Sequence, residues 1–265
     1  MNIRLDDQYE LRDGVLIQIQ RTAVRKVRFE DLIRTAMALT KESDYRHSPM
    51  LPGGDLSCRM FVENKTSIGF LMQMNPGVKT IRYKPKRESS GKYRKDPDDP
   101  GCYLFDVSLP WTWMLVRLWK VDDKYQWSSC WACSTYRNIE TVTDRVWHSP
   151  MPNIHPLGMI CTGDIMKDMM GTTDKPALLC KTWMYRSLQA MYNEDLASHL
   201  PKTVLNGSRI DCLGKWEELT RANPSVALSE DFGLTPYSGR KDALDGSADG
   251  TLDAFLRTAM GASRT

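Results

Sequence analysis

The hydrophobic pattern changes period several times along this chain. "YELRDGVLIQIQ" sets two short β-prone runs around Asp13-Gly14, which reads as a hairpin. In "RFEDLIRTAMALTK" the apolar positions Phe29, Leu32, Ile33, Ala36 and Met37 recur at helical spacing, predicting an amphipathic helix from Phe29 to Thr40. "HSPMLPGGD" is loop sequence by its proline and glycine pairs. The period then shortens. "CRMFVEN", "IGFLMQM" and "KTIRYKP" are β-prone runs, with Asn75-Pro76-Gly77 as a tight turn between the last two. "CYLFDVSLPWTWMLVRLWKV" predicts two strands broken at Pro110, and "YQWSSCWACSTY" predicts another.

Helical spacing returns in "KPALLCKTWMYRSLQAMYNEDLASHL", at Leu178, Met184, Leu188, Met191 and Leu196, with a start at Asp174. Beyond Pro201 the sequence is polar and glycine-rich, and one short helix is expected from Thr251 to Met260. No internal repeat is present. The order is hairpin, helix, antiparallel meander, cysteine-bearing loop and helices, an α+β pattern because strands and helices come in separate runs. Three segments follow: an N-terminal hairpin and helix packed on the core (1–50), the core itself (51–200), and a polar C-terminal extension with a short helix (201–265).

Composition narrows the class. The chain has 265 residues, 41% apolar and 26% charged, as in soluble globular proteins, and is long enough to bury a sizeable core. A net charge of +3 is too mild to argue for nucleic acid by itself. No apolar run approaches the roughly 20 residues of a membrane span, so no membrane partner is expected, and "MNIRLDDQYELRDG" is too polar for a secretory signal. Seven cysteines at irregular spacing fit free thiols in the cytoplasm better than a disulfide framework.

The candidate chemistry lies in "SPMPNIHPLGMICTGD", residues 149–164. Long irregular loops in compact domains tend to be functional. Gly158, three residues before Cys161, suits a turn, and Ile160-Cys161 delivers a thiol at the loop end. Asn153 lies eight residues before that thiol, and an amide near a thiol can donate to the oxyanion formed when a carbonyl is attacked. Taken alone, Cys161 reads first as an inert buried thiol and Asn153 first as a turn former.

Pro152-Asn153-Ile154, Gly158, Ile160 and Cys161 together resemble the active-site stretch of ubiquitin-conjugating enzymes, which carries its asparagine eight residues and a glycine three residues before the catalytic cysteine. Met151 stands where that family has the histidine of its His-Pro-Asn triplet, and Thr162-Gly163-Asp164 follow the cysteine where it often has Leu-Asp. The stretch from Leu109 to Asp164 is similar to the divergent prokaryotic branch of the family, represented by the B component of the plasmid PRTRC system. The resemblance implies a bacterial protein with a ubiquitin-conjugating-like fold, an antiparallel β-meander followed by a cysteine-bearing loop and helices. It also implies a transferase. Cys161 would accept a ubiquitin-like protein from a ubiquitin-activating-type enzyme as a thioester and pass it to an amine of a target protein. Asn153 would stabilise the oxyanion, His155 or Asp164 would help deprotonate the amine, and Pro152 and Gly158 would shape the loop. No cofactor and no metal is implied. The alternative is a non-catalytic conjugating-fold scaffold or binding subunit of a larger bacterial assembly.

Two other motifs carry candidate chemistry. Cys130 and Cys133 form a single Cys-x-x-Cys, without the second pair of a zinc site, and in a strand they point to opposite faces. The basic run Lys79, Arg82, Lys84, Lys86, Arg87, Lys92, Arg94 and Lys95, interleaved with Tyr83 and Tyr93, reads first as a solvated loop. A plasmid- or DNA-associated factor that uses this run on phosphates is the second alternative. The fifteen methionines read mostly as core.

Overall fold

The computed structural model describes residues 8–12, 15–20, 23–28, 45–86, 92–161, 171–189, 191–193, 199–238 and 250–261. Strands β1 (Gln8–Arg12), β2 (Val15–Gln20) and β3 (Ala23–Arg28) form an antiparallel sheet. The hairpin expected around Asp13-Gly14 is present as the β1–β2 ladder, closing at Arg12↔Val15. The third strand was not anticipated. The helix expected from Phe29 to Thr40 lies outside the described residues.

A larger sheet follows, built from β4 (Tyr45–His47), β5 (Ser57–Asn64), β6 (Ser67–Met74), β9 (Trp111–Val121), β10 (Lys124–Thr135) and β11 (Trp147–His148). Its order is β11-β10-β9-β6-β5-β4, all antiparallel, with β12 (Thr172–Thr173) also on β10. A second small sheet has the order β13-β7-β8, from β7 (Gly77–Tyr83), β8 (Tyr103–Leu109) and β13 (Met191–Tyr192), with β13 parallel to β7. Three α-helices are described, α1 (Pro176–Gln189), α2 (Arg209–Ala222) and α3 (Leu252–Met260), together with three short 3-10 turns between residues 202 and 232. The fold is mixed α+β with mostly antiparallel sheet and few helices.

The two sheets share one ribbon. The β6–β9 ladder ends at Met74↔Thr112, and the β7–β8 ladder begins at Gly77↔Leu109. Two residues intervene on each side, so the register does not change and Pro76 faces Pro110. Neither proline has an N–H to give to a ladder. The ribbon bends at this opposed pair and passes from one sheet to the other, which is why the apolar run breaks at Pro110.

Every residue of β6 is buried, because both faces of the large sheet are covered. On one face Phe61, Phe70, Met114, Val116, Cys130 and Ala132 join a core with Trp183 and Trp216. On the other, Met60, Leu71, Trp113, Leu115 and Cys133 pack with Tyr237 and with Phe255 and Leu256 of α3. The short helix expected from Thr251 to Met260 is therefore present as α3. It starts with the Thr251 side chain accepting the Ala254 N–H and stops at Gly261 in the left-handed region (φ 68°).

Helix α2 is missing from the sequence reading, which saw only polar sequence there. It begins with a capping box: the Ser208 side chain accepts the Asp211 N–H while Asp211 accepts from the Ser208 backbone. The helix caps the exposed edge of β8. Glu217 accepts the Asp106 N–H at 3.0 Å, Thr220 accepts the Ser108 N–H at 2.8 Å, and the Trp216 indole donates to the Ser108 carbonyl at 3.1 Å. An open strand edge is thereby closed by side chains. Val204, Ile210, Leu213, Trp216, Phe232 and Leu234 are core residues, so much of the stretch after Pro201 packs inward. Helix α1 starts at Pro176, a favoured first position, rather than at Asp174. It ends at Gln189, and Met191-Tyr192 pairs with β7 as a strand, so the expected continuation to Leu196 does not occur.

Candidate functional site

Residues 153–161 form a small hairpin. Ile154 bridges Ile160, the His155 N–H donates to Met159 O at 2.8 Å, and the Cys161 N–H donates to Asn153 O at 2.8 Å. The eight-residue spacing of Asn153 and Cys161 thus has a geometric meaning: they stand opposite each other at the open end of the hairpin. Pro156-Leu157 are the tip, where the Gly158 N–H donates back to His155 O at 2.7 Å.

The hairpin lies along β10. The Ile160 N–H donates to Cys130 O at 2.8 Å, the Ala132 N–H donates to Gly158 O at 2.7 Å, and Trp131 bridges Met159. Gly158 is required at this contact. Its φ of 100° belongs to the region that favours glycine, and a Cβ there would lie 3.0 Å from Ala132 O. The loop-shaping role expected of Gly158 therefore has a physical basis. Pro152 is buried beside Asn153, and Met151 is only 2% exposed, within the core beside Ile154 and Ile160.

Cys161 is the one exposed cysteine among the seven. Asn153 is 8% exposed and adopts a φ of 61°, a left-handed conformation that asparagine tolerates better than most residues. Its Oδ1 accepts the Asn193 N–H at 3.0 Å, just beyond β13. The side-chain amide is thus oriented: Oδ1 is occupied, and Nδ2 is the atom left to donate. His155 is exposed, near the tip and two residues from Asn153. Asp164 lies outside the described residues.

Below the tip is a cluster that the sequence reading missed. The His148 ring stacks on His199 with centroids 3.8 Å apart and packs against Tyr237 at 4.9 Å. His199 Nε2 lies 3.2 Å from Pro156 O, and the Tyr237 hydroxyl donates to Leu157 O at 3.3 Å. Burial, with His199 alongside, pushes His148 down to about 4, and burial also lowers His199. Positions 148, 199 and 237 share no local pattern, so nothing in the sequence links them.

Cys130 and Cys133 point to opposite faces of β10, as strand geometry requires, one into each core. Burial pushes the Cys130 thiol up to about 12 and raises Cys133 as well. No group of three or more metal-binding side chains occurs among the described residues. In the basic run, Arg82 pairs with Asp96 at 2.5 Å, Lys84 with Asp99 at 3.6 Å and Arg94 with Asp106 at 3.0 Å, while Lys92 lies over the Tyr93 ring. Much of its charge is therefore answered within the chain. Lys79, Lys86 and Lys95 lie on the same ribbon and its connecting loop, and Arg87 lies outside the described residues. No described helix is long and apolar enough to cross a membrane.

Comparison with protein-family models, with curated proteins and with solved structures finds no match.

Proposed function

We propose that this chain is a ubiquitin-conjugating-like transferase of bacterial type, with Cys161 as the nucleophile. The reading rests on one observation: the only exposed thiol of the seven lies opposite an asparagine whose amide is oriented with Nδ2 left to donate. In this reaction the Cys161 thiolate attacks the carbonyl of a thioester carried by an activating enzyme. The activating enzyme's thiolate leaves, and the ubiquitin-like protein is held on Sγ as a new thioester. A target amine then attacks that carbonyl, and Cys161 leaves as thiolate. Asn153 Nδ2 donates to the oxyanion of the second step, and such a donor is typically worth about 100- to 1,000-fold in rate. His155 or Asp164 takes the proton of the incoming amine. ATP is consumed by the activating enzyme, and the chain itself uses no cofactor.

The test combines the protein with ATP and with the activating enzyme and ubiquitin-like protein of its own source. An adduct is expected that thiol reductant removes and that Cys161→Ala does not form. A charged activating enzyme that gives no adduct with the wild type refutes the reading.

A second reading is a non-catalytic scaffold of the same architecture. The Asn153 bond to Asn193 favours it, since that amide already has a structural task, as does the burial of Met151 where the resembling family carries histidine. A scaffold binds the ubiquitin-like partner without forming the adduct. The DNA-associated reading is third, because Arg82, Lys84 and Arg94 are already paired with aspartates.

A further inference from the structure

The tip of the Cys161 hairpin is held from below by two side chains, and both rest on His148. His199 Nε2 faces the carbonyl of Pro156 at 3.2 Å. A carbonyl only accepts, so that nitrogen carries the proton. Tyr237 donates to the next carbonyl, Leu157 O. Between them lies the His148 ring, stacked on His199 and tilted against Tyr237. His148 is itself fixed by the backbone. Its Nε2 accepts the Ser238 N–H at 3.3 Å, which places its proton on Nδ1, a buried atom with no hydrogen-bond partner. His148 is therefore neutral, in a defined tautomer, at the centre of the cluster.

We propose that His148 and His199 form a proton-operated clamp on the hairpin tip, closed while both rings are neutral and released when His148 takes a second proton. Protonation of Nε2 turns the acceptor of the Ser238 N–H into a donor, so that bond is lost. It also sets a buried positive ring 3.8 Å from a second imidazole. Among the described residues, the groups facing the pair offer no counter-charge. Cys133 stands opposite His148 on β10, Tyr237 packs on its other side, and Pro156 presents a carbonyl to His199. On α3, which reaches the cluster through Phe255 and Tyr237, Asp253 and Arg257 are bound to each other at 2.7 Å. The stacked pair separates, and Pro156 and Leu157 lose their anchors. The base of the hairpin is unaffected, because Ile160 and Gly158 O are tied to β10 by backbone bonds. The clamp acts on the loop that carries Cys161 and operates whatever chemistry that thiol performs.

Its strength follows from the shift of His148, from the ordinary 6.5 to about 4. Between pH 7 and pH 5 the opening equilibrium rises about 20-fold. The experiment is residue-resolved amide exchange by NMR, corrected for the intrinsic pH dependence. The amides of His155 and Gly158 are expected to lose about 20-fold in protection between pH 7 and 5, while Ile160, Ala132 and the strand β9 keep theirs. In His148→Phe, which fills the ring site but cannot titrate, the loss is absent. An equal loss in β9, no loss in the tip, or an undiminished loss in His148→Phe overturns the clamp. Should that variant fail to fold, the His148 ring proton of the wild type decides. A midpoint well below 6.5 supports the clamp, and one at or above 6.5 overturns it.

Discussion

Gly214 stands in the middle of α2, where glycine costs about 1 kcal/mol against alanine. The Tyr93 ring explains its presence. A Cβ at Gly214 would press on Tyr93 Cε1 and lie 3.0 Å from Cζ and 3.1 Å from Oη. That ring is anchored, since its hydroxyl donates to Asp211 Oδ1 at 2.7 Å and its face lies 5.5 Å from Phe105. Gly214→Ala therefore gains about 1 kcal/mol of helix propensity and displaces Tyr93. The displacement costs about 1–2 kcal/mol for a part-exposed hydrogen bond to a carboxylate. It costs about 0.5–1 kcal/mol more for the ring pair. The net expectation is a loss of about 1 kcal/mol in the wild type. In a Tyr93→Ala background the obstacle is gone, and the same Gly214→Ala substitution stabilises by about 1 kcal/mol. Urea denaturation of the four proteins of this cycle measures the sign change, with midpoints moving in opposite directions by about 0.3–0.5 M. If Gly214→Ala shifts the midpoint equally in both backgrounds, Tyr93 does not lie on the helix as described.

Three further outcomes are expected. Ellman's reagent should find one fast thiol in the native protein and seven in guanidinium, with the fast one absent in Cys161→Ala; no fast thiol, or more than one, contradicts the burial pattern. Gly158→Ala forces a side chain into a positive-φ position against Ala132 O and should cost about 1–3 kcal/mol; a wild-type denaturation midpoint would show that the hairpin does not lie on β10. Asp106 is held below the usual carboxylate range by Arg94 and Thr80, so the unfolded chain binds its proton first as pH falls. Its contribution is complete above about pH 4 and is lost as pH drops through the lower folded value. Asp106→Asn should accordingly show a smaller loss of stability between pH 5 and pH 2.5 than the wild type, and an identical loss would exclude the pairing.

The strands were legible because they carry their own signals. The interruption at Pro110 and the turn at Asn75-Pro76-Gly77 both lie at the bend of the ribbon, and α3 carries its cap and its glycine stop in sequence. Helix α2 was not legible because Gly214 and its many charged residues dilute the apolar spacing. What holds it is tertiary: Tyr93 above it and the edge of β8 beside it. Helix α1 was read too long because helical spacing runs on into Met191 and Tyr192, where pairing with β7 prevails. In the candidate site, Asn153, Gly158 and Cys161 were accessible because one hairpin holds all three. Asn193, His148, His199 and Tyr237 come from distant segments that only the tertiary fold brings together.

The opposed prolines set a rule for how the chain can change length. The two arms of the ribbon share one register across the bend, so a residue inserted or deleted in one arm moves its proline out of opposition to the other. It also turns every side chain beyond that point to the wrong face. The arms can therefore change only together and by even steps. In the connection from β7 to β8, Lys95 pairs with Tyr103, and the Asp96 N–H donates to Cys102 O, so the residues from Arg94 onward are tied to β8 as well. Single-residue changes of length in this half of the molecule belong before Arg94.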